Sequence, residues 1–169
     1  MLKKLLILFI AVAPLAAMAQ EVKIATVNVQ EVFAAMPEIS GIETQLSTKQ
    51  EEIRKNLQAL SEEFQKKYQE FEASPAASDA AKQDQQKQLG QLEERYQTYM
   101  QNGQQEFEQL RQQLLEPVNR KIFDAINSVG SENNYTFVYD ISAMQSPIVY
   151  FSPSAVDATP QVKTKLGLK

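Results

Sequence analysis

Cysteine, histidine and tryptophan are absent from this chain, and only 5 of its 169 residues are glycine. Each absence excludes some chemistry. Without cysteine or histidine there is no zinc site of the usual kind, no thiol nucleophile and no imidazole base. No disulfide can form, so packing and association alone must hold the fold. No Gly-rich phosphate cradle is present, which argues against an ATP-driven mechanism. No acidic run has the spacing of a calcium loop. Ser142, Ser146 and Ser152 have no imidazole to activate them. Asp140, at the end of a β-rich run, is expected to accept turn hydrogen bonds rather than to catalyse. The pairs Glu51-Glu52, Glu62-Glu63 and Glu93-Glu94 read as solvated helix faces. The sequence therefore implies no enzyme and no cofactor.

A concentrated basic face is missing as well. Met1 to Lys4 is a short basic start, and an apolar run from Leu5 to about Leu15 follows it. Ala17-Met18-Ala19 then supplies the small residues that signal peptidase accepts. Residues 1–19 are expected to be a cleaved secretory leader, with Gln20 the mature N-terminus and the periplasm the destination. A permanent anchor would need about 20 apolar residues, and Pro14 interrupts a shorter run. Without Lys3 and Lys4 of the leader, 15 basic groups face 21 acidic ones, a net charge of −6. That balance argues against nucleic acid as a partner.

What the chain does have is two long amphipathic runs. Positions 39, 42, 46, 49, 53, 57, 60, 64, 67 and 71 follow one another at steps of three and four. Ile39, Ile42, Leu46, Ile53, Leu57, Leu60, Phe64 and Phe71 make eight of them apolar, and only Lys49 and Lys67 interrupt the stripe. This is a coiled-coil pattern. The return reads Leu89, Leu92, Tyr96, Tyr99, Gly103, Phe107, Leu110 and Leu114. Each run contains one double step of four, at 49–53–57 and at 99–103–107, a stutter that locally unwinds a coiled coil. Pairing stutter against stutter makes facing positions sum to 156. Ile53 then faces Gly103, Leu57 faces Tyr99, Leu60 faces Tyr96 and Phe64 faces Leu92. Lys49 is expected to lay its stem over Phe107 while its ammonium reaches water.

Residues 38–129 thus form one antiparallel helical hairpin, with its turn at 73–79, where Pro75 stops one helix and Ser78 or Asp79 caps the next. At 1.5 Å per residue its arms project about 50–60 Å. Pro117 either kinks the returning helix or starts a new one, and Gly130 is expected to end it.

Residues 20–37 and 130–169 form a small β-rich body. Val22 to Val29 alternates as a strand, and Val32, Phe33 and Met36 share a face of a short helix. The β-rich runs 135–139 and 148–151 are expected to form a hairpin, and Thr159-Pro160 to cap a last helix using Val162 and Leu166. A body this small has open strand edges that self-association would cover. Ile24, Val27, Val29, Phe137, Tyr139, Ile148 and Tyr150 are its candidate association residues. The fold class is α+β, mostly α: a long coiled-coil tentacle on a small β-rich oligomerisation body.

The strand Lys23-Ile-Ala-Thr-Val-Asn-Val-Gln-Glu-Val-Phe leads into a Gln/Glu/Lys-rich helical hairpin. The return contains Glu116-Pro-Val-Asn-Arg-Lys-Ile-Phe-Asp-Ala-Ile, then Tyr135-Thr-Phe-Val-Tyr-Asp, Pro147-Ile-Val-Tyr and Asp157-Ala-Thr-Pro-Gln-Val. Over essentially the whole chain after the leader, this order of elements resembles the Skp (OmpH-like) family of periplasmic chaperones. The resemblance implies a jellyfish-shaped homotrimer with three tentacles. It also implies ATP-independent capture of unfolded outer-membrane proteins in transit to the outer membrane. Some members carry basic tentacle tips that attract acidic clients or lipopolysaccharide. Here residues 62–95 hold five basic and eight acidic groups, which weighs against attraction to anionic lipid. Client holding would then rest on apolar residues off the seam, for which Tyr68 and Met100 are the candidates. The competing class is a structural coiled-coil scaffold or spacer of the cell envelope. A spacer, however, should run on without turning back.

Overall fold

The computed structural model describes residues 22–74, 78–143, 148 and 150–168. Residues 1–21, which include the expected leader, and residues 75–77, 144–147, 149 and 169 lie outside the described residues.

Strand β1 (Ile24–Val27) comes first, then helix α1 (Val29–Ala35). Asn28 caps α1, its side-chain oxygen accepting from the Glu31 N–H at 2.9 Å. The two arms follow as α2 (Glu38–Glu72) and α3 (Asp79–Glu132). Ser78 caps α3 by accepting from the Ala81 N–H at 3.3 Å. Strands β2 (Phe137–Asp140) and β3 (Val156–Asp157) and helix α4 (Thr159–Lys165) complete the described elements.

Helix α3 is one helix of 54 residues, about 80 Å at 1.5 Å per residue, and it runs through Pro117 without a break in its assignment. Nor does it stop at Gly130. It ends in a Schellman turn: Asn134 takes the left-handed conformation (φ 56°), the Tyr135 N–H donates to the Gly130 carbonyl, and the Asn134 N–H donates to that of Ser131. Asparagine at 134 supplies the positive φ that the sequence reading looked for in glycine at 130. Gly130 lies inside the helix, where a Cβ would make only an ordinary contact, 3.6 Å from Val138 Cγ2.

The sheet has the order β2–β1–β3, and both pairings are parallel. Ile24 aligns with Phe137 and Val27 with Asp140 on one side; Ala25 aligns with Val156 on the other. This corrects the expected hairpin between 135–139 and 148–151. Ile148, Tyr150 and Phe151 are not in strand, and the third strand is the two-residue β3. Parallel strands need a long crossover. Here the entire helical hairpin is the crossover from β1 to β2. The first strand is also shorter than expected, because Val29 already belongs to α1.

The main core lies in the body. Ala25, Val27, Val32, Met36, Ile42, Val118, Ile122, Ala125, Val129, Ala158 and Val162 form one buried cluster. Four of these sit on α3 between 118 and 129, in steps of three and four that turn one stripe towards the sheet and α1. Val118, Ile122, Ala125 and Val129, all within the expected arm of residues 38–129, thus pack into the same core as the body, as does Ile42.

Side-chain bonds tie the body's ends together. Asp140 Oδ1 accepts from the Val29 N–H (3.3 Å), the Ser142 N–H (2.9 Å) and the Ser142 hydroxyl (2.6 Å). Thr159 does not cap its own helix. Its Oγ1 accepts from the Asn28 N–H at 2.9 Å, and Asp157 Oδ1 accepts from the Thr159 N–H at 2.9 Å. Lys163 pairs with Glu31 at 2.6 Å, and Lys165 pairs with Glu132.

Candidate binding surfaces

Along the outgoing arm, all ten stripe positions from Ile39 to Phe71 are buried or half-buried. On the return, Leu89, Leu92, Tyr99, Gly103, Phe107, Leu110 and Leu114 are likewise at least half-buried, while Tyr96 is 36% exposed. Ile53 lies against Gly103, where a Cβ would be 3.0 Å from Cγ2 and 3.3 Å from Cγ1 of the isoleucine. Lys49 departs from expectation in one respect. Its ammonium meets Glu106 at 2.7 Å instead of ending in water, and that carboxylate raises the lysine's pKa.

The seam has two unlike flanks. Among the described residues four polar ties cross between the arms: Glu38–Lys121 at 2.6 Å at the base, then Lys49–Glu106, the Asn56 amide donating to the Tyr99 hydroxyl at 2.5 Å, and Glu63–Arg95 at 4.0 Å. Asn56, Glu63, Arg95 and Glu106 each stand one residue before a seam position. Tyr68 and Met100 each stand one residue after one. Successive residues of an α-helix are 100° apart, so these two sets occupy opposite flanks. The first flank is laced with polar side chains. On the second, Ile53, Leu57, Met100, Gly103 and Phe107 line an open groove, with Gln50 and Gln104 at its edge.

Tyr68 and Met100 are 46% and 49% exposed, so neither is spent on packing the arms. The Tyr68 ring stacks on Phe64, with centroids 6.3 Å apart. A hydrogen bond with Glu72 raises the phenol's pKa.

The body presents a second apolar surface. Alternation in β2 turns Phe137 and Tyr139 outward, 52% and 38% exposed, with their rings stacked at 5.9 Å. Ile24, aligned with Phe137, is exposed too, and Tyr150 is 79% exposed. Of the other residues expected to associate, Val27 is fully buried in the protomer's own core. Val29 is half-buried against that core from α1, and Ile148 is half-buried. Their side chains serve the protomer first. The sequence reading missed Phe123, Ile141, Phe151 and Val156, all exposed. Phe123 was findable, because it falls between the core positions Ile122 and Ala125 on the far side of the helix.

Among the described residues no group of three or more acidic side chains could hold a metal ion, and no helix is long and apolar enough to cross a membrane. A thin two-helix arm, a small mixed body and apolar surface on both define a tentacled protein of the helical-hairpin type. Residues 23–166 match the family model described as outer membrane protein (OmpH-like). The chain belongs to that family, the Skp (OmpH-like) family. The fold is similar to a crystal structure of a candidate outer membrane chaperone (OmpH-like) from Caulobacter crescentus CB15. That similarity has a TM-score of 0.68 at 16% identity and covers 86% of this chain and 83% of the other. No protein of curated function matches the chain.

Proposed function

We propose that this protein is an ATP-independent periplasmic holdase that binds unfolded outer-membrane proteins and keeps them from aggregating on their way to the outer membrane. The observation that carries the reading is the uncovered aromatic face of the body, Ile24, Phe137, Tyr139 and Tyr150. A single chain leaves this face in water. Association of three copies through it would cover it and set three arms around a common space. Tyr68, Met100 and the groove beside Gly103 would offer the held chain apolar contacts. The acidic balance of the outer arm favours apolar burial, at roughly 25 cal/mol per Å², over charge attraction as the driving term.

The test is light scattering of an unfolded outer-membrane barrel diluted from urea, without ATP, with and without an equimolar trimer, at low and high salt. Suppression of scattering at both salts is expected, because screening at about 0.15 M shortens surface attractions to about 8 Å but leaves apolar burial intact. Suppression lost at high salt would overturn the apolar mechanism. No suppression at either salt would favour an envelope scaffold.

A further inference from the structure

The quality of the seam changes along the arm. From Ile42–Leu114 outward to Phe64–Leu92, facing positions are apolar or, at Lys49, tied across by an ion pair. Beyond Phe64–Leu92, the same register sets Lys67 against Leu89, Phe71 against Gln85 and Ser74 against Lys82. Every layer there contains a polar side chain, and all six residues are half-buried. Gln85 Oε1 is buried with no hydrogen-bond partner, a direct cost to the closed state. Among the described residues, no hydrogen bond or ion pair crosses between the arms beyond Glu63–Arg95. Lys67 pairs with Glu70, Gln88 with Asp84, and Tyr68 with Glu72, each within its own helix. Gly90 adds a helix-weakening residue with nothing within 4 Å of where its Cβ would be, so packing does not require it.

We propose that residues 65–72 of α2 and 79–91 of α3 form a separately opening unit. It is bounded by the Phe64–Leu92 layer, and its opening frees Phe71 and Leu89 to hold client chain. Once parted, these end segments of 8 and 13 residues lose the packing that supplies most helical stability and fray from the tip inward, so separation exposes their amides to exchange. The use of the opened state rests on the holdase reading; the opening itself does not.

Hydrogen exchange followed by mass spectrometry on the full-length trimer tests both parts. Amides in 65–72 and 79–91 should exchange at least tenfold faster than those in 42–60 and 96–114. Gly90→Ala should slow the outer segments alone by about fivefold, the helix-propensity difference of about 1 kcal/mol. Gly41→Ala, the same change at the arm's base where the Cβ position is equally open, should leave them unchanged. Uniform exchange along the arm, or equal slowing by both variants, overturns the opening unit. Adding a urea-diluted outer-membrane barrel should raise exchange in the outer segments further, because a ligand of the open state shifts the population towards it. Slowed or unchanged exchange with client bound would mean that client docks on the closed hairpin. A barrel that does not bind at all by light scattering counts against the holdase reading and leaves the exchange pattern of the free protein to decide the opening.

Discussion

Ile53 fills the space that Gly103 leaves empty, with its Cγ2 3.0 Å from where an alanine Cβ would stand. Gly103→Ala sets two effects against each other. Alanine improves helix propensity by about 1 kcal/mol, while overpacking costs about 1–3 kcal/mol. The clash should win, lowering the melting temperature, and Ile53→Ala, which removes both Cγ atoms, should make the double variant lose less than the sum of the two single changes. Cysteines at both positions (Ile53→Cys with Gly103→Cys) should form an intrachain disulfide under mild oxidation. The control Ile53→Cys with Tyr96→Cys, displaced by a heptad, should not, because bridged Cα atoms must lie within about 7 Å. Equal crosslinking of both pairs would refute the register.

The Schellman turn at the end of α3 makes a second prediction. Asn134 sits at φ 56°, a region that costs most L-residues roughly 1–2 kcal/mol but asparagine and glycine little. Asn134→Gly should be nearly neutral in urea unfolding, and Asn134→Val destabilising by about that amount. Equal effects from the two would show that backbone conformation is not what selects the residue there.

Acid should loosen the base of the hairpin. Lys121 donates to the Glu38 carboxylate at 2.6 Å, and this bond above all holds that carboxyl below its ordinary value of 4.5. The folded state therefore gains from ionised Glu38 above about pH 4.5 and loses that gain as the pH falls through the lower folded value. Glu38→Gln should flatten the acid limb of melting temperature against pH between 5 and 3. Its midpoint at pH 7 should fall only slightly, since the pair is partly exposed. Parallel acid limbs for the two proteins would contradict the assignment.

Assembly through the aromatic face makes Phe137 the sensitive point. Phe137→Glu places a charge in the proposed interface, and sedimentation should report monomer for this variant against the trimer expected of the unmodified protein. Tyr68→Ser, equally exposed but on the arm, should leave the trimer intact. A trimer that survives Phe137→Glu would move association elsewhere on the molecule.

The arms were legible in the sequence for a physical reason. A seam that repeats at 3.5 residues over many turns must show its period, and matched stutters locate Ile53 against Gly103 without further information. Side-chain exchanges over one turn were less legible. Glu106 takes the Lys49 ammonium because it is the neighbour of Phe107, a partner that heptad positions alone do not name. The body resisted for the opposite reason. Its strands span four, four and two residues, too few for alternation to choose a partner. What sets β2 beside β1 is the length of α3, which delivers Phe137 back to Ile24 and makes the pairing parallel. Likewise, nothing in Thr159-Pro160 distinguishes a hydroxyl that caps its own helix from one that accepts a hydrogen bond from the Asn28 N–H across the body.

The central strand of the sheet is the first described element, and both its neighbours come from the far side of the hairpin. That arrangement orders events in time. Contacts within each arm and across its turn are local and can form as the chain emerges, whereas β1 must wait more than a hundred residues for Phe137 and longer for Val156. During that wait Ala25 and Val27 remain in water. The unfinished chain is then itself an unfolded apolar segment joined to a finished arm, until β2 and β3 have joined the sheet and the last helix has packed against the body.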